Sequence, residues 1–322
     1  MKRGGSWVLI TNLDHTHHER CFAFFTKPRI LPYMTYELAI GDRTYSSWSL
    51  RGWLLFEKFN LPVRVHSARM YSDAFKEMLE SFAPARLVPA MKFDDIVVQD
   101  TIAIAETLAE RHPNAHMWPT DAGARAMARN LVAEMHASFT ALRGDCTMNL
   151  RRHYPDFEPS DAVLNDIARI EALWALAREK YGANGPWLFG DYTIADVFYA
   201  PVATRFATYN LPKNKISDAY INAHLSDPSF RRWRAMGIAQ NYIQPGYDLD
   251  LPSAPWPGPT PLPAKAVDAG PSENTHCPYS GDPVTDYLEL DGRVFGFCNP
   301  FCRDKTVADA AAWGGFMEIY QK

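Results

Sequence analysis

The sequence predicts a small α/β domain followed by an all-helical domain, with a compact cysteine-bearing unit appended. Three observations predict it. Residues 36–112 alternate short apolar strands with amphipathic helices, but only four strands are present, which gives a small mixed sheet and not a doubly wound one. From Asp121 onward the apolar residues recur at helical spacing. A span crowded with prolines then leads into a tail that holds three of the five cysteines.

The elements follow in order. Tyr36–Ile40 reads as a strand, Leu50–Phe59 as a helix, Val63–Ser67 as a second strand and Ser72–Phe82 as a second helix. Val88–Phe93 and Ile96–Val98 flank the turn Asp94-Asp95 as a hairpin, and a helix from Thr101 to Glu110 ends before Pro113. Met127, Leu131, Met135, Phe139 and Leu142 form one helical stripe; Val163, Ile167, Ile170, Trp174 and Ala177 form another. A third helix begins within Gly190–Asp196, where Thr193 and Asp196 fit a capping box, and Val197–Val202 is apolar nearly all round, as a central helix should be. Asp227-Pro228 starts one more helix, expected to stop at Gly237. Eight prolines between 244 and 275 predict an extended linker or a strap laid on the surface.

The expected units are therefore an arm at 1–34, an α/β domain at 35–114, a helical domain at 120–243, the linker at 244–275 and the small unit at 276–322. Residues 1–33 carry His15, His17 and His18 without a hydrophobic period, and Met34 stands directly before the first strand. This stretch reads as a loose arm or as sequence upstream of the true start.

Composition bounds the function. The 322 residues are 47% apolar and 22% charged, with net charge −4, so no basic field argues for nucleic acid, and no apolar run is long enough for a bilayer. An odd number of cysteines without a secretion signal argues for reduced thiols or a metal site, and for a cytoplasmic protein.

The most informative stretch is Tyr45-Ser46-Ser47-Trp48-Ser49-Leu50-Arg51. Hydroxyls between a strand end and a helix start make an anion site, because the free N–H groups and the helix dipole attract negative charge. A serine there can hydrogen-bond a bound thiolate. Serine is also an ordinary N-cap, and the run alone favours that plainer reading.

Residues 35 to about 240 resemble the cytosolic glutathione S-transferases, with a thioredoxin-like first domain and an all-helical second. Four separated motifs carry the resemblance: Ser46-Ser47-Trp48-Ser49-Leu50-Arg51, similar to the serine motif of the zeta class (maleylacetoacetate isomerases); Leu87-Val88-Pro89-Ala90-Met91, similar to the cis-proline loop; Gln99-Asp100-Thr101-Ile102-Ala103-Ile104; and the capping box at Thr193 and Asp196. The resemblance implies that Ser46 activates the glutathione thiol, with Ser47 and Ser49 as further candidates. It implies that the backbone of Val88, held by Pro89, receives the cysteinyl part. Asp100 and Thr101 would grip the γ-glutamyl end, facing its ammonium and its carboxylate. Taken alone, Pro89 reads as an edge-strand proline and Asp100-Thr101 as a plain cap. Trp48 stands where the zeta motif has cysteine. That weighs against isomerase chemistry and against omega-like thiol–disulfide exchange. Trp48, Trp53 and Arg51 are the candidates for the second-substrate pocket. Glutathione, a small electrophile and a homodimer partner are the expected associations. Transfer is the leading reaction, isomerisation the nearest alternative, and a non-catalytic binding module with a metal-sensing tail the rival.

In the tail, Cys277 with Pro278 and Gly281 resembles half of a zinc knuckle, with Ser280 in place of the second cysteine. Cys298 and Cys302 complete a C-x20-C-x3-C spacing similar to the YHS/TRASH-type treble-clef domains over about 277–313. Three thiolates suit a soft or borderline ion such as zinc. A decayed knuckle that packs without metal is the alternative, and a redox role for Cys298 or Cys302 a third.

Overall fold

The computed structural model describes residues 36–182 and 184–322; the expected arm, with its three histidines and Cys21, lies outside them. The first domain runs β1 (Tyr36–Ile40), α1 (Ser47–Glu57), β2 (Val63–Ser67), α2 (Asp73–Glu80), β3 (Ala90–Phe93), β4 (Ile96–Gln99) and α3 (Thr101–Arg111). The sheet order is β2-β1-β3-β4, with β1 and β2 parallel and β3 antiparallel to both of its neighbours. Leu38 pairs with Val65 on one side and Met91 on the other, so an apolar row crosses the sheet beneath Leu50, Leu54 and Ile104. A parallel pair needs a crossover, which α1 supplies; the tight turn Asp94-Asp95 suffices for the antiparallel hairpin.

The helical domain holds α4 (Ala122–Ala137), α5 (Thr140–Asp145), α6 (Asp161–Tyr181), α7 (Ile194–Thr208), α8 (Lys215–Ser226) and α9 (Pro228–Ala239). Every residue of α7 is buried. Its start is held by Asp196, which accepts from Thr193 N (2.8 Å), Leu188 N (3.1 Å) and the Tyr220 hydroxyl (2.8 Å). Burial pushes this carboxyl up to about 6 despite those bonds.

Several expectations change. The stripe from Met127 to Leu142 is two helices: the chain breaks at Ser138, and Phe139 sits in the left-handed region at φ 59°, so its ring turns into the core. Arg143 donates to the carbonyls of His136 and Ser138 and closes the gap. The third helix begins at Ile194, as the capping box at Thr193 and Asp196 requires, and Gly190 before it pairs with Trp187 in a β-bridge. α9 runs through Gly237 to Ala239. The glycine is there for a close approach, since a Cβ would lie 2.7 Å from Thr44 Cγ2. α8 is an element the periodicity did not single out.

The proline-rich span is a strap pinned to the body. Tyr242 donates to Asp42, Gln244 accepts from Arg69 (3.2 Å), Asn149 donates to the Tyr247 carbonyl (3.1 Å), and Arg152 pairs with Asp248 (2.6 Å). Its end forms β5 (Lys265–Val267), which joins β6 (Asp286–Leu290) and β7 (Arg293–Phe297) in an antiparallel sheet ordered β5-β6-β7. α10 (Pro300–Ala308) and α11 (Gly314–Tyr320) complete the tail. α10 packs on α9, where Arg231 forms a bidentate pair with Asp309 (2.6 and 2.8 Å). Arg232 bridges Glu57 at the end of α1 and the Ala312 carbonyl.

Candidate active site

The turn after β1 is closed by the Asp42 carbonyl, which accepts from Ser46 N at 2.8 Å. Ser46 then caps α1: its Oγ accepts from Ser49 N at 3.2 Å. The two hydroxyls lie 2.8 Å apart, and Ser49 Oγ also accepts from Gly41 N at 2.9 Å. Ser49 is thus fixed in the interior, while Ser46 lines a cavity of about 470 Å³, a size suited to a small molecule.

One wall comes from the first domain: Ser46, Ser47, Val88, Pro89, Gln99 and Asp100. The Val88–Pro89 bond is cis. Asp100 caps α3 through Ile102 N (2.9 Å), and its other oxygen lies 3.5 Å from His136. Thr101 is fully buried and its hydroxyl has no partner among the described residues; it does not line the cavity. The opposite wall comes from the helical domain and the strap: Arg143, Thr147, Met148, Arg205 and Tyr247. Tyr45 packs on Tyr247 with ring centroids 5.0 Å apart.

Of the three residues expected in the second-substrate pocket, Trp48 lines the cavity. Trp53 does not: it points into the core, 5.3 Å from the Trp233 ring, because α1 turns that face toward α9. Arg51 is not a surface residue, and it forms no ion pair among the described residues. It is 1% exposed and lies behind the wall, its guanidinium 4.9 Å from the Trp48 ring and 5.1 Å from that of Phe198. Desolvation, then the nearby Arg205 and Arg143, lowers its pKa to about 9.

Sequence reasoning missed Arg143, Arg205 and Tyr247. Arg205 had a signal, a charge just beyond the apolar run Val197–Val202 of a helix expected to be central. Tyr247 had none, because strap geometry is not periodic.

Cys277, Cys298 and Cys302 also converge, with sulfur atoms all within 4.8 Å of one another. Ser280 and Asn299 donate to Cys298 Sγ at 3.3 and 3.2 Å. His276 is not among them; its Nδ1 bonds Thr275 at 2.9 Å.

Residues 45–111 match the family described as glutathione S-transferase, N-terminal domain. Glutathione S-transferase theta-3 of Mus musculus is 26% identical over 143 residues, 42% of this chain and 56% of its own length. The probable maleylacetoacetate isomerase of Caenorhabditis elegans is 26% identical over 171 residues, 52% of this chain and 78% of its own. The chain thus spans little more than half of the theta-3 relative. Among solved structures, the trimeric glutathione transferase TDR1 of Leishmania superposes with a TM-score of 0.50 at 17% identity, over 64% of this chain and 46% of that one. The fold is that of the glutathione transferases, a thioredoxin-like domain followed by a helical one. No helix among the described residues is long and apolar enough to cross a membrane.

Proposed function

We propose that the protein is a serine-type glutathione transferase that joins the glutathione thiolate to a small electrophile. The observation that carries this reading is the placement of Ser46, a helix-capping hydroxyl at the cavity wall, beside the cis Val88–Pro89 loop. The backbone of Val88 holds the cysteinyl part of the tripeptide and Asp100 faces its ammonium, while Thr101, buried and off the cavity, backs the start of α3. The Ser46 hydroxyl donates to Ser49 Oγ at 2.8 Å. With glutathione bound, the Ser46 hydroxyl rotates from Ser49 and donates to the sulfur instead. That bond and the helix N-terminus favour the thiolate below the free-thiol pKa of about 8.5. Ser47, also on the wall, is the alternative donor.

In the reaction the thiol proton passes to solvent, the sulfur pair forms the new C–S bond, and the electrophile's leaving group departs with its own pair. Isomerisation of a maleylacetoacetate-like compound is the alternative at the same site, and its support is the name of the nematode relative. The protein acts as a cytoplasmic homodimer.

The cysteine trio holds an ion of the zinc class. Metal–sulfur bonds of about 2.3 Å place sulfurs roughly 3.8–4.0 Å apart, and Cys298 and Cys302 lie at 3.9 Å. The bound ion would tie β7 and the start of α10 to the Cys277 turn, giving a unit of this size a staple.

The test is ultraviolet difference absorbance of bound glutathione across pH, in wild type and Ser46→Ala. Thiolate well below pH 8.5 that the mutant loses supports the proposal. Binding without thiolate leaves a non-catalytic binding module as the better reading.

A further inference from the structure

Three guanidinium groups gather at one end of the cavity. Arg143 and Arg205 line it, and Arg51 lies directly behind Trp48. Arg143 also approaches the Trp48 ring, at 5.3 Å. Arg205 donates to the carbonyls of Cys146 (2.8 Å) and Pro201 (2.9 Å), and Arg143 to those of His136 and Ser138. None of the three forms an ion pair with a carboxylate among the described residues. Arg51 goes further: its Nε and Nη1 are buried and donate to no protein oxygen. The acid that attracts Arg51 is Asp100, which already caps α3 and faces His136.

Buried cations without counterions are costly, as Arg51 and Arg205 are, and the half-buried Arg143 adds a third like charge to them. Desolvation is the largest effect lowering Arg205, to about 10, as it is for Arg51. Such a cluster is retained at a site when something anionic completes it. Arg143 and Arg205 stand on the helical wall, and Arg51 reaches the same Trp48 ring from α1, with Asp100 near enough to attract it. The ring surfaces beside the cluster are Trp48, Tyr45 and Tyr247.

We infer that the electrophile is a planar carboxylate, its anionic group held by Arg143 and Arg205 and its ring laid against Trp48. The inference rests on the transferase reading, and the experiment below separates the two. A guanidinium meets a carboxylate in a bidentate pair, which fixes orientation as well as charge. Arg51 acts through Trp48, as a positioning residue that raises the positive potential at the wall.

The probes are 3,5-dinitrobenzoate and its methyl ester, which differ in the charge and in one methyl group, titrated by quenching of tryptophan fluorescence with S-methylglutathione bound. The acid should bind roughly tenfold more tightly than the ester, and Arg143→Met should collapse that ratio; Arg143→Lys should restore part of it. Turnover is then read with 4-chloro-3,5-dinitrobenzoate, where the thiolate displaces chloride at the ring carbon and the thiol proton goes to solvent. Equal binding of acid and ester overturns the inference, whatever the turnover. So does an Arg143→Met variant that loses S-methylglutathione and keeps the ratio, since the cation then serves the tripeptide. A preserved tenfold preference without turnover leaves the anion site standing and removes the transferase reading.

Discussion

Gly52 lies against Pro89 so closely that a Cβ on the glycine would sit 2.6 Å from the proline's own Cβ. The helix behind the serine run and the loop opposite it are thus in direct contact, and the cavity width is set by a missing methyl. Gly52→Ala must push the loop away. Overpacking of this kind costs about 1–3 kcal/mol, and glutathione affinity should fall along with the denaturation midpoint. A variant with normal stability and normal affinity would show that the loop is free to yield.

Ser49 should behave differently from Ser46. Ser49→Ala removes the acceptor of Gly41 N and the partner of the Ser46 hydroxyl, both in the interior. We expect a stability loss of about 1–2 kcal/mol, with thiolate formation weakened but present. Ser46→Ala should cost about 1 kcal/mol as a lost cap, while abolishing the thiolate. Comparing urea midpoints with thiolate absorbance checks the division of labour; an inverted pattern would move the catalytic role to Ser49.

Stability should depend on His224. It is buried among Trp187, Tyr192 and Tyr220, and burial, with Lys58 nearby, pushes its pKa down to about 3. Below the ordinary value of 6.5 the unfolded chain binds a proton there and the folded chain does not, so acid favours unfolding by up to about 1.4 kcal/mol per pH unit. His224→Gln removes this slope. Its stability should approach that of wild type as pH falls from 6.5 toward 3. A difference constant with pH would mean that His224 is protonated in the folded protein.

Metal loading of the tail is tested on the whole protein. Elemental analysis should find about one thiophilic ion per chain, lost in Cys302→Ser, and a chelator should lower the melting temperature by several degrees. Melting unaffected by chelator, with no ion found, would make the trio a packed remnant.

The tail is clamped by the Arg231–Asp309 pair, whose side chains are largely buried. Asp309→Ala strands the arginine and should destabilise the α9–α10 contact by about 3 kcal/mol. Hydrogen exchange should then speed up in α10 before it does in α7. Equal protection in both helices would mean that the tail does not open separately.

The sheet and its register were legible because Leu38, Val65 and Met91 declare one buried face, and a slip by one residue would expose them. Asp196 announced its own cap. The break at Phe139 was not legible, because its apolar spacing fits one helix and only the left-handed backbone shows two. At the site, the serines, Val88, Pro89 and Asp100 came from short local motifs. Trp53 and Trp48 are five apart on α1, so one faces the core and the other the cavity, and composition alone does not tell them apart. Arg143 and Tyr247 meet only through tertiary structure.

The strap carries one more consequence. Tyr247 furnishes part of the cavity wall, yet it belongs to the segment that leads out to the cysteine tail. The two-domain body therefore does not end where its last helix ends. A hybrid that joined this body to another protein's tail at α9 would lose a wall, whereas one joined beyond Trp256, which Arg234 grips at 4.5 Å, would inherit it intact. The seam along which such proteins can be recombined lies inside the proline tract, some way past the point that a count of helices would choose.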